Sequence, residues 1–274
     1  VNADTIAGYA LGLGLLGSGS VLLWRLAASP AARSRRTEPA LGPWPVPPSG
    51  LLLLFALGLC GAILGQYLSA LVLGRVRVGY DARQVLVMMG YEAGLIGGVA
   101  GFFLTVPGNR RTAPAPWRTL RDGFVTFLVA LPPVWIVDFA WQELLECCHV
   151  PIRLQDPVTL FLGLRSTFWK AGFVLVATVA APISEELLFR AGLFRFCRGR
   201  LPRWLAILGP AVVFAGAHLL QSPLDGLAAF APLVVLGVVF SLAYERTGRI
   251  GTTMVAHGLF NLTTIVLILL GLST

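Results

Sequence analysis

Long unbroken runs of apolar residues alternate with short polar or basic segments along the whole chain. Runs close to the ~20 residues needed to cross ~30 Å of hydrocarbon fall at 5–24, 50–74, 84–106, 123–140, 168 to about 196, 201–220, 226–244 and 250–272. Within each run the apolar positions are continuous rather than alternating, which predicts helices and not the strands of a membrane barrel. The expected fold is all-α: a polytopic integral membrane protein with about eight transmembrane helices. Pro132 and Pro133 are expected to kink the fourth span.

Glycines within the runs are read as helix-packing positions. Gly8 and Gly12 in the first span, and Gly90, Gly94 and Gly98 in the third, repeat a four-residue spacing that lets neighbouring backbones approach. Gly12, Gly14 and Gly17 also satisfy a dinucleotide-binding pattern. No strand precedes them, so helix packing is the better reading.

Composition agrees with the pattern. Of 274 residues 56% are apolar and 12% charged, and the mean hydropathy is +0.79. A soluble domain of that size has no means of covering so much apolar surface. Asp4 stands where a signal peptide would carry basic residues, so no removable leader is expected.

A net charge of +8 would suggest nucleic acid if the basic residues shared one soluble face. They are instead divided by the spans. Arg25, Arg33, Arg35 and Arg36, then Arg110, Arg111, Arg118 and Arg121, then the arginines from Arg190 to Arg203, then Arg246 and Arg249 put fifteen on one side. Six fall on the other: Arg75, Arg77, Arg83, Arg153, Arg165 and Lys170. The positive-inside bias places both termini outside the cytoplasm, and topology with anionic lipid accounts for the charge without a nucleic acid partner. The Pro- and Arg-rich linkers 28–49 and 107–121 are expected to be cytoplasmic loops, with Trp44 and Trp117 as interfacial anchors. The four cysteines define no scaffold. Cys147, Cys148 and His149 are adjacent and diverge on a helix, which disfavours a metal site there.

Ionisable residues left inside spans carry the chemical information, because each costs roughly 2.5 to 3.5 kcal/mol to insert. They concentrate in the last four spans. Glu185, Glu186 and Arg190 lie in Ser184-Glu-Glu-Leu-Leu-Phe-Arg190, His218 closes Phe214-Ala-Gly-Ala-His218, and His257 and Asn261 bracket His257-Gly-Leu-Phe-Asn261. Glu186 and Arg190 are one turn apart and can pair, whereas Glu185 points about 100° away. His257 and Asn261 share a face. About a turn between Arg200 and Leu201, Glu185 is roughly 23 Å back and His218 roughly 26 Å forward at 1.5 Å per residue, so both fall at similar depth. His257 is nearer its own turn and needs helix tilt or offset to join them. Glu92 and Asp138, on the third and fourth spans, are expected to be partnered or to face a water-filled cavity.

These elements, E-E-x-x-x-R, F-x-x-x-H and H-x-x-x-N in that order on consecutive apolar stretches, resemble the CPBP family of intramembrane proteases. That family includes CAAX prenyl endopeptidases of the Ras-converting type and bacteriocin-processing and immunity relatives. The segment from Tyr244 to Gly251 is family-like as well, and the resemblance covers about 168–272. It divides the chain into an N-terminal part, 1–166, of about four helices, and a catalytic four-helix core, 167–274.

The resemblance implies hydrolysis of a peptide bond within the membrane, with Glu185 and His218 activating water and His257 and Asn261 stabilising the oxyanion. Preorganised donors are strongest where water is excluded. Glu186 and Arg190 are implied to be a structural pair. Two chemistries stay open: a metal-free glutamate mechanism, or Zn²⁺ held by Glu185, His218 and His257 with a position left for water. The implied partner is a membrane-associated protein or peptide, prenylated CAAX-type among the candidates, reached from the cytoplasmic side. Residue by residue, an intramembrane His or Asn is commonly an interhelical hydrogen-bond partner. A non-catalytic scaffold or immunity protein of the same fold, or a small proton-coupled transporter, are the alternative classes.

The charge asymmetry makes a direct prediction. A membrane-impermeant maleimide should label Cys147 and Cys148 in intact cells, and Cys197 only after permeabilisation; the reverse pattern would invert the topology.

Overall fold

The computed structural model describes residues 3–30, 41–42, 44–106, 116–150, 156–221 and 223–270. Most of the two basic linkers, with Arg33, Arg35, Arg36, Arg110 and Arg111, lies outside the described residues, as does Arg153. Helix α1 spans Ala3–Leu23, followed by α2 (Pro48–Leu73), α3 (Tyr80–Thr105), α4 (Pro116–Cys147) and the short α5 (Asp156–Gly163). The second half contains α6 (Thr167–Arg198), α7 (Arg203–Gln221), α8 (Pro223–Thr247) and α9 (Ile250–Leu269). All but α5 are long and apolar enough to cross a membrane, which makes eight spans, and no strand occurs among the described residues. The protein is an all-α, multi-pass integral membrane protein.

The expected spans and the helices coincide except at α4. That helix runs from Pro116 to Cys147 and continues through Pro132 and Pro133, well beyond the expected 123–140. Its polar ends escape a hydropathy window, yet Asp122 and Trp141 are both used: Asp122 pairs with Arg249, and the Trp141 indole donates to the Leu227 carbonyl at 2.8 Å. α4 is a central post. Its Phe127, Leu128, Ala130, Leu131 and Val134 pack with Leu236 and Phe240 of α8 and Ala256 of α9, while Leu15 and Leu22 of α1 lie against the outside of this cluster.

Pro132 has no N–H for the Leu128 carbonyl one turn earlier. Gly19 of α1 seats against that carbonyl, where a Cβ would collide with it. α1 therefore makes a close backbone approach at Gly19, whereas Gly12, one of the two positions expected from spacing, makes only ordinary contact with Trp135.

The third span behaves as expected. Gly90, Gly94 and Gly98 of α3 face Gly65, Gly61 and Leu57–Gly58 of α2, backbone against backbone. Below this seam Leu54, Ala62, Leu95, Val99 and Phe102 form a core that also takes in Leu187 and Leu188 of α6. Trp44 belongs to the same core, stacked on Phe103 and edge-on to Phe102, so the expected interfacial anchor is buried. Trp117 does remain exposed, flanked by the Arg118 and Arg121 guanidiniums.

Two devices hold α6 in place. At its start, Asp81 of α3 accepts from the backbone N–H groups of Arg165 and Ser166 at 2.8 and 2.7 Å, satisfying donors that precede the helix. At its other end Arg198, with Arg203 of α7, binds the Glu245 carboxylate at 2.6 and 2.7 Å. Arg200 in the turn between reaches the Val46 carbonyl. The arginines at the α6–α7 turn thus meet the end of α8 at Glu245 and the segment before α2 at Val46.

The α2–α3 seam can be tested with Gly94→Leu. Its side chain has no room against the Gly61 carbonyl, and unfolding in detergent should show a loss of about 1–3 kcal/mol or more; unchanged stability would mean that the seam is loose.

Candidate active site

Helix α6 carries the motif residues and is not a uniform helix. A π segment, Val176–Ala180, and a longer one, Glu186–Phe194, flank a single α turn, Ala181–Glu185. Such widened turns are rare and collect at functional sites. Pro182 supplies a local cause. It lacks the N–H that the Thr178 carbonyl would accept from in α register and the Ala177 carbonyl in π register. The Ala181 N–H instead closes back to Val176 O.

Helix α9 meets both exposed carbonyls. Asn261 Nδ2 donates to Ala177 O at 2.8 Å, and Gly258 lies so close to Thr178 O that no Cβ fits there. Asn261 and Gly258 thus dock α9 on the part of α6 that Pro182 opens.

That docking brings His257 onto the Glu-Glu pair. Glu186 is fully buried, and its Oε1 accepts from Arg190 Nη1 at 2.9 Å and from His257 Nδ1 at 3.0 Å. The Arg190 guanidinium is buried between aromatic faces, 4.2 Å from the Phe214 ring centroid and 5.3 Å from that of Phe240. Gly237 of α8 leaves it room. A carboxylate paired with arginine can only accept, so the hydrogen-bond network assigns a proton to His257 Nδ1 and turns Nε2 outward. Nε2 faces Glu185 Oε2 at 3.7 Å, longer than a hydrogen bond.

The two glutamates diverge as their spacing requires: Glu185 is 24% exposed and Glu186 is not exposed at all. Glu185 Oε2 has no hydrogen-bond partner among the described residues. The expected ion pair is therefore present and has a second job, since it aims His257.

His218 sits differently. Its Nδ1 lies 3.0 Å from the Phe214 carbonyl, one turn earlier on α7, and its ring packs edge-on to Phe214 with centroids 5.0 Å apart. Phe214 also contacts the His257 ring, at 6.1 Å, so the two imidazoles flank one phenyl ring. The partner placed next to Glu185 is His257, and no hydrogen bond or ion pair joins Glu185 to His218 among the described residues. The depth argument from the α6–α7 turn left His257 dependent on helix tilt or offset, and the docking of α9 on α6 through Asn261 and Gly258 supplies its approach.

The three expected zinc ligands do not converge either. Among the described residues no three His, Cys, Asp or Glu side chains form a set able to hold a metal ion. Glu185 and His257 approach each other, and His218 stays with Phe214.

One contact at the site was legible only in part. Glu92 of α3 is buried, and Ser184 Oγ lies 2.7 Å from its Oε2. The expectation that Glu92 has a partner holds; that the partner adjoins Glu185 has no sequence signal beyond an acid in a glycine-rich span.

Fold and site together define a multi-pass membrane protein with a buried carboxylate–imidazole centre in its last four spanning helices. Residues 167–263 match the family model described as Type II CAAX prenyl endopeptidase Rce1-like, as expected of a CPBP family protease. The match begins at the first residue of α6, ends two residues past Asn261 and covers about a third of the chain. It supports intramembrane endopeptidase activity on a membrane-associated protein. No curated protein and no solved structure matches the chain.

Removing one member of the buried pair should be costly. Glu186→Ala leaves the Arg190 charge unpaired and should lose about 3–5 kcal/mol in thermal unfolding, whereas Glu186→Leu with Arg190→Met should recover most of that loss. Equal stability of single and double variants would show that the pair bears little load.

Proposed function

We propose that the protein hydrolyses a peptide bond of a membrane-associated protein or peptide with Glu185 as general base. The observation that carries this reading is the chain Arg190, Glu186, His257, Glu185. A buried ion pair holds an imidazole, and the imidazole faces, at 3.7 Å, a Glu185 oxygen that is buried and makes no hydrogen bond, on a side chain that is 24% exposed.

Glu185 takes a proton from water as the water oxygen bonds to the substrate carbonyl carbon. The same carboxyl then returns the proton to the leaving nitrogen as the C–N bond breaks, giving an acid and an amine. His257, polarised through Nδ1 by Glu186, presents Nε2 to the developing oxyanion when it carries a second proton. Asn261 spends one amide N–H on Ala177 and keeps the other for the same task. His218, across Phe214, completes the site by holding the attacking water. No step is assigned to a metal, because Glu185, His218 and His257 do not form one donor set.

A prenylated CAAX-type C-terminus is the substrate class suggested by the family match. The arginine asymmetry favours access from the cytoplasmic side, with both termini outside.

The test is cleavage by the purified chain of two fluorogenic peptides ending in a CAAX sequence, one farnesylated and one not. Wild type should cut the farnesylated peptide. Glu185→Ala and His218→Ala should each lower the rate by about 10²-fold or more while eluting as folded protein. Wild-type rates in Glu185→Ala, or no cleavage of either peptide by wild type, would overturn the assignment.

A further inference from the structure

The short α turn that bears Glu185 lies between two π segments, and its neighbours in space hold it at identifiable points. Asn261 takes the Ala177 carbonyl on its N-terminal side, and Glu186 is tied to Arg190 and His257 on its C-terminal side. In the middle sits Ser184, fully buried, with its hydroxyl 2.7 Å from Glu92 Oε2 and 2.9 Å from the Ala181 carbonyl. Glu92 comes from α3, outside the matched 167–263. It is 8% exposed.

Two hydrogen-bond distances converge on one hydroxyl. Ser184 Oγ has one proton to give: it donates to the Ala181 carbonyl when Glu92 is protonated and donates to Oγ, and to Glu92 Oε2 otherwise, so Glu92 engages the hydroxyl in either case. A carboxyl group kept inside hydrocarbon is costly unless it has a use, and this one meets the residue that directly precedes Glu185. Glu92 is itself held firmly: Gly90 and Gly94, on either side of it, seat α3 on the α2 backbone.

We propose that Glu92 is a positioning residue of the active site, acting through Ser184 to set the Glu185 carboxylate toward His257. The inference rests on Glu185 being the general base. The site then takes in a group from the N-terminal helices, and the matched segment alone is incomplete as a catalytic unit.

The full-length chain is tested with the same two fluorogenic peptides, using Glu92→Ala, Glu92→Gln, Ser184→Ala and the Glu92→Ala/Ser184→Ala double variant. The alanine variants should lose about tenfold to hundredfold in kcat, with KM within about threefold, and the double variant should be no slower than the slower single. Glu92→Gln, whose amide still bonds Ser184, should keep most of the rate. Full kcat in folded Ser184→Ala or Glu92→Ala, a rise confined to KM, losses that multiply in the double variant, or failure of Glu92→Gln to rescue would each overturn the proposal.

Thermal unfolding gives a readout that needs neither turnover nor a foldable Glu92→Ala. The Tm shifts of Ser184→Ala and Glu185→Gln should fail to add if the bridge holds Glu185, and simple addition would overturn it. Wild-type turnover by Glu185→Ala, or wild type inert on both peptides, defeats the general-base reading. An inactive Glu185→Ala beside a fully active Glu92→Ala defeats only the role of Glu92.

Discussion

A carboxylate inside the bundle, Glu186, accepts from both Arg190 and His257, and the arrangement of the last four helices follows from satisfying it. An unpaired charge at that depth would cost several kcal/mol, so α6 has to present Arg190 one turn on, and α9 has to come close enough to deliver His257. The arginine in turn needs flat, weakly polar walls, supplied by Phe214 of α7 and Phe240 of α8. One ion pair thereby brings all four helices to a common point. The imidazole that completes it is left with a single free nitrogen, aimed at Glu185.

Proline and glycine make that convergence geometrically possible. Pro182 takes away a backbone donor, and the carbonyls it leaves on α6 are met by Asn261 and Gly258 of α9. The same device recurs at Pro132, whose missing donor exposes the Leu128 carbonyl to Gly19 of α1. In hydrocarbon an open carbonyl has no water to turn to, so a neighbouring helix with a glycine or an amide at that height is held there in a defined register. Asn261 belongs to this scaffold as much as to any chemistry.

The N-terminal helices are more than a hydrophobic belt. Asp81 caps the start of α6, Leu54 and Leu95 pack in one core with Leu187 and Leu188, and Glu92 reaches Ser184. At the arginine-rich end, Glu245 and Asp122 gather the loops through ion pairs. The motif-bearing core is thus braced at its start by Asp81 and beside its carboxylate by Glu92, both from α3, and at its far end by the ion pairs of Glu245 and Asp122.

The eight spans, the all-α class and the divergence of Glu185 from Glu186 were legible in the sequence, because hydropathy, span length and the 100° step of a helix are local properties. The Glu186–Arg190 pair was legible for the same reason, as was the glycine seam of α3. The partners of these groups were not. That His257 rather than His218 faces Glu185, that Trp44 is buried, that α1 touches at Gly19 and that Glu92 adjoins the site all depend on how helices rotate and offset against one another. The π segments of α6 change that rotation by amounts that no fixed period encodes. Local sequence determined which side chains are available inside the membrane, and only the packing of helix on helix decided which of them meet.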